Sequence, residues 1–283
     1  MWWIADKVAY RNRDDFVRAY WGDDMVWDKY SNRIVYTTND SQIIDPYINS
    51  GTGSWGFGAN IVSNTYNNGV GVIIFDGPVN RIGTSAFSNE DTLTSIVIPP
   101  SVTSIKSAAF DQCDNLSSVD IPSSVTSIER GAFFGCDSLE SITIPSSVTS
   151  FGQEVFYGSG LTSITIPSSI TYLNARLFMG CNKLRYVNLP SSIRSIGTEC
   201  FAACPQLGSI VIPSSVISIG TQCFALSSDL WDITVNATTP PDLGTNVFYN
   251  IYSNFYIRVP AASLQAYQTA PGWSNYAAYI VAQ

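Results

Sequence analysis

Histidine is absent from all 283 residues of the chain. That removes the Ser-His-Asp and Cys-His nucleophile systems, the commonest general base and the usual nitrogen ligand of zinc. Charge is scarce too: 13% of residues are charged, and 22 acidic against 14 basic side chains give a formal net charge of −8. Nucleic acid requires clustered Lys and Arg, so it is excluded as a partner. No stretch approaches the ~18 uninterrupted apolar residues of a spanning helix, which argues against membrane insertion. The start, MWWIADKVAYRNRDDF, has neither a basic n-region nor an apolar run of signal-peptide length, so Sec export is not expected of a chain that begins there. The cysteines include no C-x-x-C pair, and no phosphate-cradling glycine motif occurs. Asp14-Asp15 and Asp23-Asp24 are better explained as solvated turns than as ligands of a hard cation. No catalytic residue, cofactor or metal site is therefore expected.

What is present is a repeat. IPPSVTSI, IPSSVTSI, IPSSVTSF, IPSSITYL, LPSSIRSI and IPSSVISI follow one another, their prolines at Pro99, Pro122, Pro145, Pro167, Pro190 and Pro213. Spacings of 23, 23, 22, 23 and 23 residues mean that one unit is stacked many times. In the unit from Leu116, Val119 and Ile121 alternate with Ser118 and Asp120, the period-two pattern of a strand with one buried face. Pro122 lacks the N–H a ladder needs, so it ends the strand and opens a Ser-Ser corner. Ile128 anchors the return side, and then one ring enters the core per turn: Phe87, Phe110, Phe133, Phe156, Phe178, Phe201, Phe224 and Phe248. The short unit between Phe156 and Leu161 predicts a small change of curvature. These features predict a β-rich solenoid of about eight or nine rungs with a parallel sheet and a buried phenylalanine column.

The phrase L-x-x-I-x-I-P-x-S-V-x-x-I-x-x-x-A-F-x-x-C resembles the BspA-like leucine-rich repeats over about Val70 to Ala237. The resemblance implies that fold, and it implies surface adhesion or recognition in place of catalysis. Six cysteines fall into register, Cys113, Cys136, Cys181 and Cys204 after the Phe turn and Cys200 and Cys223 just before Phe. Stacked rungs bring successive Cα atoms within disulfide range, yet free buried thiols acting as small hydrophobes are expected.

The ends differ from the middle. All seven tryptophans lie outside residues 56–230. Residues 1–50 read as a small β-hairpin module, with turns at Gly22-Asp23 and Asn39-Asp40. Residues 51–69 form a glycine-rich linker and a capping hairpin turning at Asn68-Gly69, the strand of Ile73 and Phe75 being the first rung. Residues 70–250 are the repeats. In 251–283, Ile257 and Val259 make a last rung, AASLQAYQTA has helical spacing, and Trp273 with Tyr276 folds back as a cap.

Tyr20-Trp21-Gly22-Asp23 with Val26-Trp27-Asp28-Lys29 resembles a hairpin unit at the front of bacteriophage appendage proteins. That resemblance implies a virion component, attached to other virion proteins or to itself through Trp2, Trp3, Tyr20, Trp21 and Trp27. A bacterial surface adhesin and an intracellular scaffold are the alternatives. The outward strand positions, mostly small hydroxyls, offer Asp120, Thr143, Thr165, Tyr186, Asn188 and Asp232 as a recognition face for a host-surface glycan or protein.

Overall fold

The computed structural model describes residues 20–21, 24–25, 32–46, 56–252 and 254–283. Its body is a parallel β-solenoid of about 9 turns on a ~23-residue repeat. One row of strands runs through Leu93–Val97, Ser118–Asp120, Ser163–Thr165, Tyr186–Asn188, Ser209–Ile212, Asp232–Val235 and Tyr256–Val259. A second row of two-residue strands, from Arg81–Ile82 to Asp242–Leu243, forms the return side. Pairing keeps the repeat register: Ile164 lies opposite Val187, Ile210 opposite Ile233, and Ser127 opposite both Ser104 and Ser150.

The phenylalanine column forms as the spacing predicts. Neighbouring rings from Phe87 to Phe248 stack with centroids 5.3–5.8 Å apart and planes within 3–10° of parallel. The corner serines have a definite task. Ser101, Ser124, Ser147, Ser169, Ser192 and Ser215 each donate a hydroxyl hydrogen bond of 2.5–2.7 Å to a backbone carbonyl of the preceding turn. A corner that must turn cannot satisfy every carbonyl by strand pairing, and the hydroxyl fills the gap.

The residues two before and two after each phenylalanine have positive φ, as at Ala108 and Gln112, Glu199 and Ala203, Gln222 and Leu226. Only Gly131, Gly135, Gly158 and Gly180 among them are glycine. The others hold a left-handed conformation that costs an L-residue roughly 1–2 kcal/mol. Leu226 has φ 64 and a side chain 48% exposed, so it loses little contact on truncation. Leu226→Gly is therefore expected to stabilise the chain by ~0.5–1 kcal/mol in urea denaturation. A loss of stability would show that the leucine packs against something.

At the short unit, both ladders are interrupted: the first row pairs no strand between Ser118–Asp120 and Ser163–Thr165, and the second breaks between Ser150–Phe151 and Tyr172–Leu173. Gly160 passes so close to the turn below that a Cβ would sit 1.9 Å from the Asp137 carbonyl oxygen. The first row breaks once more, between Tyr186–Asn188 and Ser209–Ile212, in a unit of full length. The short unit thus coincides with the only break in the second row among the described residues, but not with every break in the first.

The N-terminal end departs from the expected hairpins. Tyr20–Trp21 does pair antiparallel with Asp24–Met25. Arg33–Thr38, however, does not turn at Asn39-Asp40 into a partner strand. It inserts between Val70–Phe75 and Leu93–Val97, antiparallel to both, in a five-stranded sheet that begins with Ile61–Asn67. The strand of Ile73 and Phe75 is thus one place removed from the parallel ladder. A parallel edge left open would expose unpaired N–H and C=O groups, and the inserted strand closes it. Ile34 and Tyr36 are buried on that strand, and the Tyr36 hydroxyl donates to Asn64 Oδ1 at 2.8 Å. Gly71 lies under the Tyr36 ring, where a Cβ would stand 2.1 Å from it. The hairpin at Asn68-Gly69 forms as expected, both residues at positive φ. Within the expected linker, Phe57 is fully buried and tilts against Phe75 and Phe87 at 4.9 and 5.7 Å, so it caps the ring column.

The C-terminal cap follows the sequence more closely. The helix Leu264–Thr269 buries Tyr267, whose hydroxyl donates to Ala237 O at 2.7 Å. Trp273 is buried against it, its Nε1 donating to Pro241 O at 2.7 Å. Tyr276 stands edge-on to Phe248 at 5.1 Å. One further strand, Ile280–Ala282, pairs parallel to Tyr256–Val259 and ends the sheet.

Candidate recognition surface

Alternation along each strand sends one residue inward and the next outward, so the outward positions of successive turns form rows one ladder spacing apart. Thr165 lies directly opposite Asn188, both exposed, and Tyr186 beside Ser163 is 62% exposed. Thr143 is exposed on the interrupted turn, outside any strand. Asp120 is half-buried, and loss of solvent raises its carboxyl above the ordinary aspartate value. Asp232 is not a free acceptor: Arg258 Nε donates to its Oδ1 at 2.8 Å. Of the expected attachment residues, Trp2, Trp3 and Trp27 lie outside the described residues, as do Asp14, Asp15 and Asp23, while Tyr20 and Trp21 are described only as strand backbone.

The surface is richest where the sequence was not searched, at its C-terminal end. Trp231, Tyr252 and Tyr256 are 48%, 48% and 39% exposed and line one open groove of about 550 Å³. Gly208 and three polar residues, Gln206, Asp229 and Asn254, complete the lining. Tyr256 faces Asp232 across the parallel ladder, and the Arg258 guanidinium lies 5.7 Å from its ring centroid. Asp232 therefore holds Arg258, and Arg258 backs the tyrosine ring.

Gly208 lies beside Trp231, where a Cβ would come no nearer than 3.5 Å to the indole Nε1. The Trp231 N–H donates to Gly208 O at 3.0 Å. In earlier turns this ladder position carries Thr94, Ser117, Glu140, Thr162 and Arg185. Extending the repeat register by one turn past Asp232 would have placed Tyr256 and Arg258 on the outward face from sequence alone. Tyr252 belongs to a loop with no repeat signal.

The cysteines sit elsewhere, in the core, and all six are free and buried. Their role is more than apolar filling. Cys113, Cys136, Cys181 and Cys204 each donate to the carbonyl of a Phe in the turn below, at 2.8, 3.1, 3.0 and 3.1 Å, and Ser227 does the same to Phe201 O at 2.8 Å. Among the described residues no group of His, Cys, Asp and Glu is placed to hold a metal ion, and no helix is long and apolar enough to cross a membrane.

A stacked parallel ladder, one proline-ended strand and one buried ring per turn define a leucine-rich-repeat solenoid. The BspA type leucine rich repeat region matches the chain in six copies, over residues 61–185 and 150–269, and the chain belongs to that family. A leucine-rich repeat protein from Bacteroides ovatus is similar at 27% identity and a TM-score of 0.54, over 70% of this chain and 61% of that one. A leucine rich cell surface protein from Faecalibacterium prausnitzii is similar at 34% identity and a TM-score of 0.54, over 62% and 46%. This chain thus spans less than two thirds of either. No curated protein matches it.

Proposed function

We propose that this protein is a non-catalytic recognition protein that acts at a bacterial cell surface, an adhesin of the BspA-like type. The observation that carries the proposal is the division of its side chains. Among the described residues most apolar side chains lie inside the ring column and the caps, while outward rows made mainly of hydroxyl, amide and carboxylate groups end in exposed aromatic residues. The family and the cell-surface relative from Faecalibacterium prausnitzii support the same reading. The ladder face with Thr165, Tyr186 and Asn188 would meet a host-surface glycan or protein. Residues before the inserted strand, with Trp2, Trp3, Tyr20, Trp21 and Trp27, would serve attachment to other proteins or to a second copy. A virion placement has for support only the resemblance at residues 15 to 30.

Two measurements test this. Antibody against the solenoid should label intact producing cells, and beads coated with the full chain should adhere to host epithelial cells several-fold more than beads coated with Tyr186→Ser/Trp231→Ala protein. Labelling of purified phage particles but not of cells would replace the adhesin with a virion protein. A chain beginning at residue 32 keeps Arg33–Thr38 and should fold. A chain beginning at residue 47 loses buried Ile34, Tyr36 and Ile44 and should be much less stable, so attachment is to be tested with the shorter deletion only.

A further inference from the structure

We propose that the groove between Trp231, Tyr252 and Tyr256 is a binding site for a neutral saccharide. The proposal rests on the recognition reading above and names the class of ligand. Three exposed rings around one groove are costly to leave in water and suit a ligand with apolar faces. A pyranose has such a face, built of its axial C–H groups, with hydroxyls projecting around the rim.

The polar lining decides among ligands that stack on aromatic rings. The Asp229 carboxylate only accepts hydrogen bonds, the Gln206 amide nitrogen donates, its oxygen being held by Arg185, and the Asn254 amide both donates and accepts. Hydroxyl groups do both as well and match this set. A proline-rich peptide presents carbonyl acceptors with few N–H donors and leaves a carboxylate unanswered. A nucleotide or an acidic sugar brings negative charge to a lining whose one charged group is Asp229, on a chain of net charge −8. The volume of about 550 Å³ lies within the range of small-molecule sites.

The site is also preorganised. Arg258 backs Tyr256 and is held by Asp232 at 2.8 Å, and Gln206 Oε1 accepts from Arg185 Nε at 2.9 Å. Gly208 leaves the indole of Trp231 uncovered at a ladder position where the five preceding turns carry a side chain. A side chain at that position would stand against the edge of the indole, which is 48% exposed as it is.

The test is a titration of the full chain with neutral oligosaccharides of glucose, galactose, mannose and N-acetylglucosamine, alongside sialyllactose and a proline-rich decapeptide. Tryptophan fluorescence and calorimetry would report binding. At least one neutral oligosaccharide is expected to bind, and Trp231→Ala and Tyr252→Ala should each weaken it at least ~10-fold. Gly208→Thr, which restores the residue type of Thr162, should also weaken it, whereas Ile217→Thr, at an exposed corner outside the groove and restoring the residue type of Thr149, should leave it unchanged. Thermal melts of the variants matching the parent would show that folding is intact. Absence of binding to any neutral oligosaccharide, equal binding by Trp231→Ala, or preference for sialyllactose or the peptide would each overturn the proposal. Bead adhesion that persists without saccharide binding would sink this inference and leave the adhesin reading standing.

Discussion

Phe133→Ala is expected to destabilise the chain by about 3–5 kcal/mol, the cost of emptying a large side chain from a close-packed core. The ring is fully buried, with Phe110 at 5.3 Å on one side and Phe156 at 5.8 Å on the other, both nearly parallel to it. Neither neighbour can collapse into the gap without leaving its own place in the column, because each is tied by a backbone hydrogen bond to the next turn: Phe110 N to Ala132 O and Phe156 N to Leu177 O. Chemical denaturation followed by circular dichroism measures the loss. A solenoid is a row of coupled turns, so the same truncation at Phe248, which has a stacked ring on one side only and beyond it the edge-on Tyr276 at 5.1 Å and the tilted Phe255 and Trp273 at 6.0 and 6.3 Å, should cost less. A loss below about 1 kcal/mol at Phe133 would contradict a mid-column position.

Alkaline unfolding should be steep. Burial pushes the Cys113 and Cys181 thiols up to about 12 and moves Cys136, Cys200, Cys204 and Cys223 upward as well. Each group binds its proton more tightly when folded. The stability it contributes is fully present below the unfolded value near 9 and is lost as pH rises from there toward the folded value. Every pH unit in that window costs about 1.4 kcal/mol per thiol, so six together outweigh the ~5–15 kcal/mol that holds an ordinary domain within one or two units. Tyr267, raised by burial, adds to the effect.

The chain itself supplies the control. Ser159 and Ser227 occupy the ladder position of Cys113, Cys136, Cys181 and Cys204, and alanines precede Phe87, Phe110 and Phe133 where cysteines precede Phe201 and Phe224. Replacing the first four cysteines by serine and the other two by alanine should leave the fold intact at pH 7 and move the alkaline midpoint upward by about one unit. Equal midpoints would mean that thiol ionisation does not drive the transition. Alkylation of the native protein at pH 7 should be slow, and six thiols should react once it is denatured without reductant.

The repeating interior was open to sequence reasoning because its causes are local and periodic. A proline after each second buried residue, a phenylalanine every turn and a constant spacing leave one stack that buries every ring, and the ring column, the ladder register and the helical C-terminal cap follow. The free state of the cysteines was also legible, though not the hydrogen bonds from four of them to backbone carbonyls, since a donor's partner one turn away appears in no sequence period.

What the chain's order alone determined is the unit and its stacking, for each turn needs only its neighbours. The tertiary structure decided the two ends, where the period stops. Arg33–Thr38 closes the open ladder against a strand whose paired residues lie 55 to 62 positions later, a choice set by exposed backbone groups that no hairpin signal reports. The aromatic groove likewise joins Trp231 to Tyr252 and Tyr256 through a loop outside the repeat, because loop closure places side chains by packing and not by periodicity.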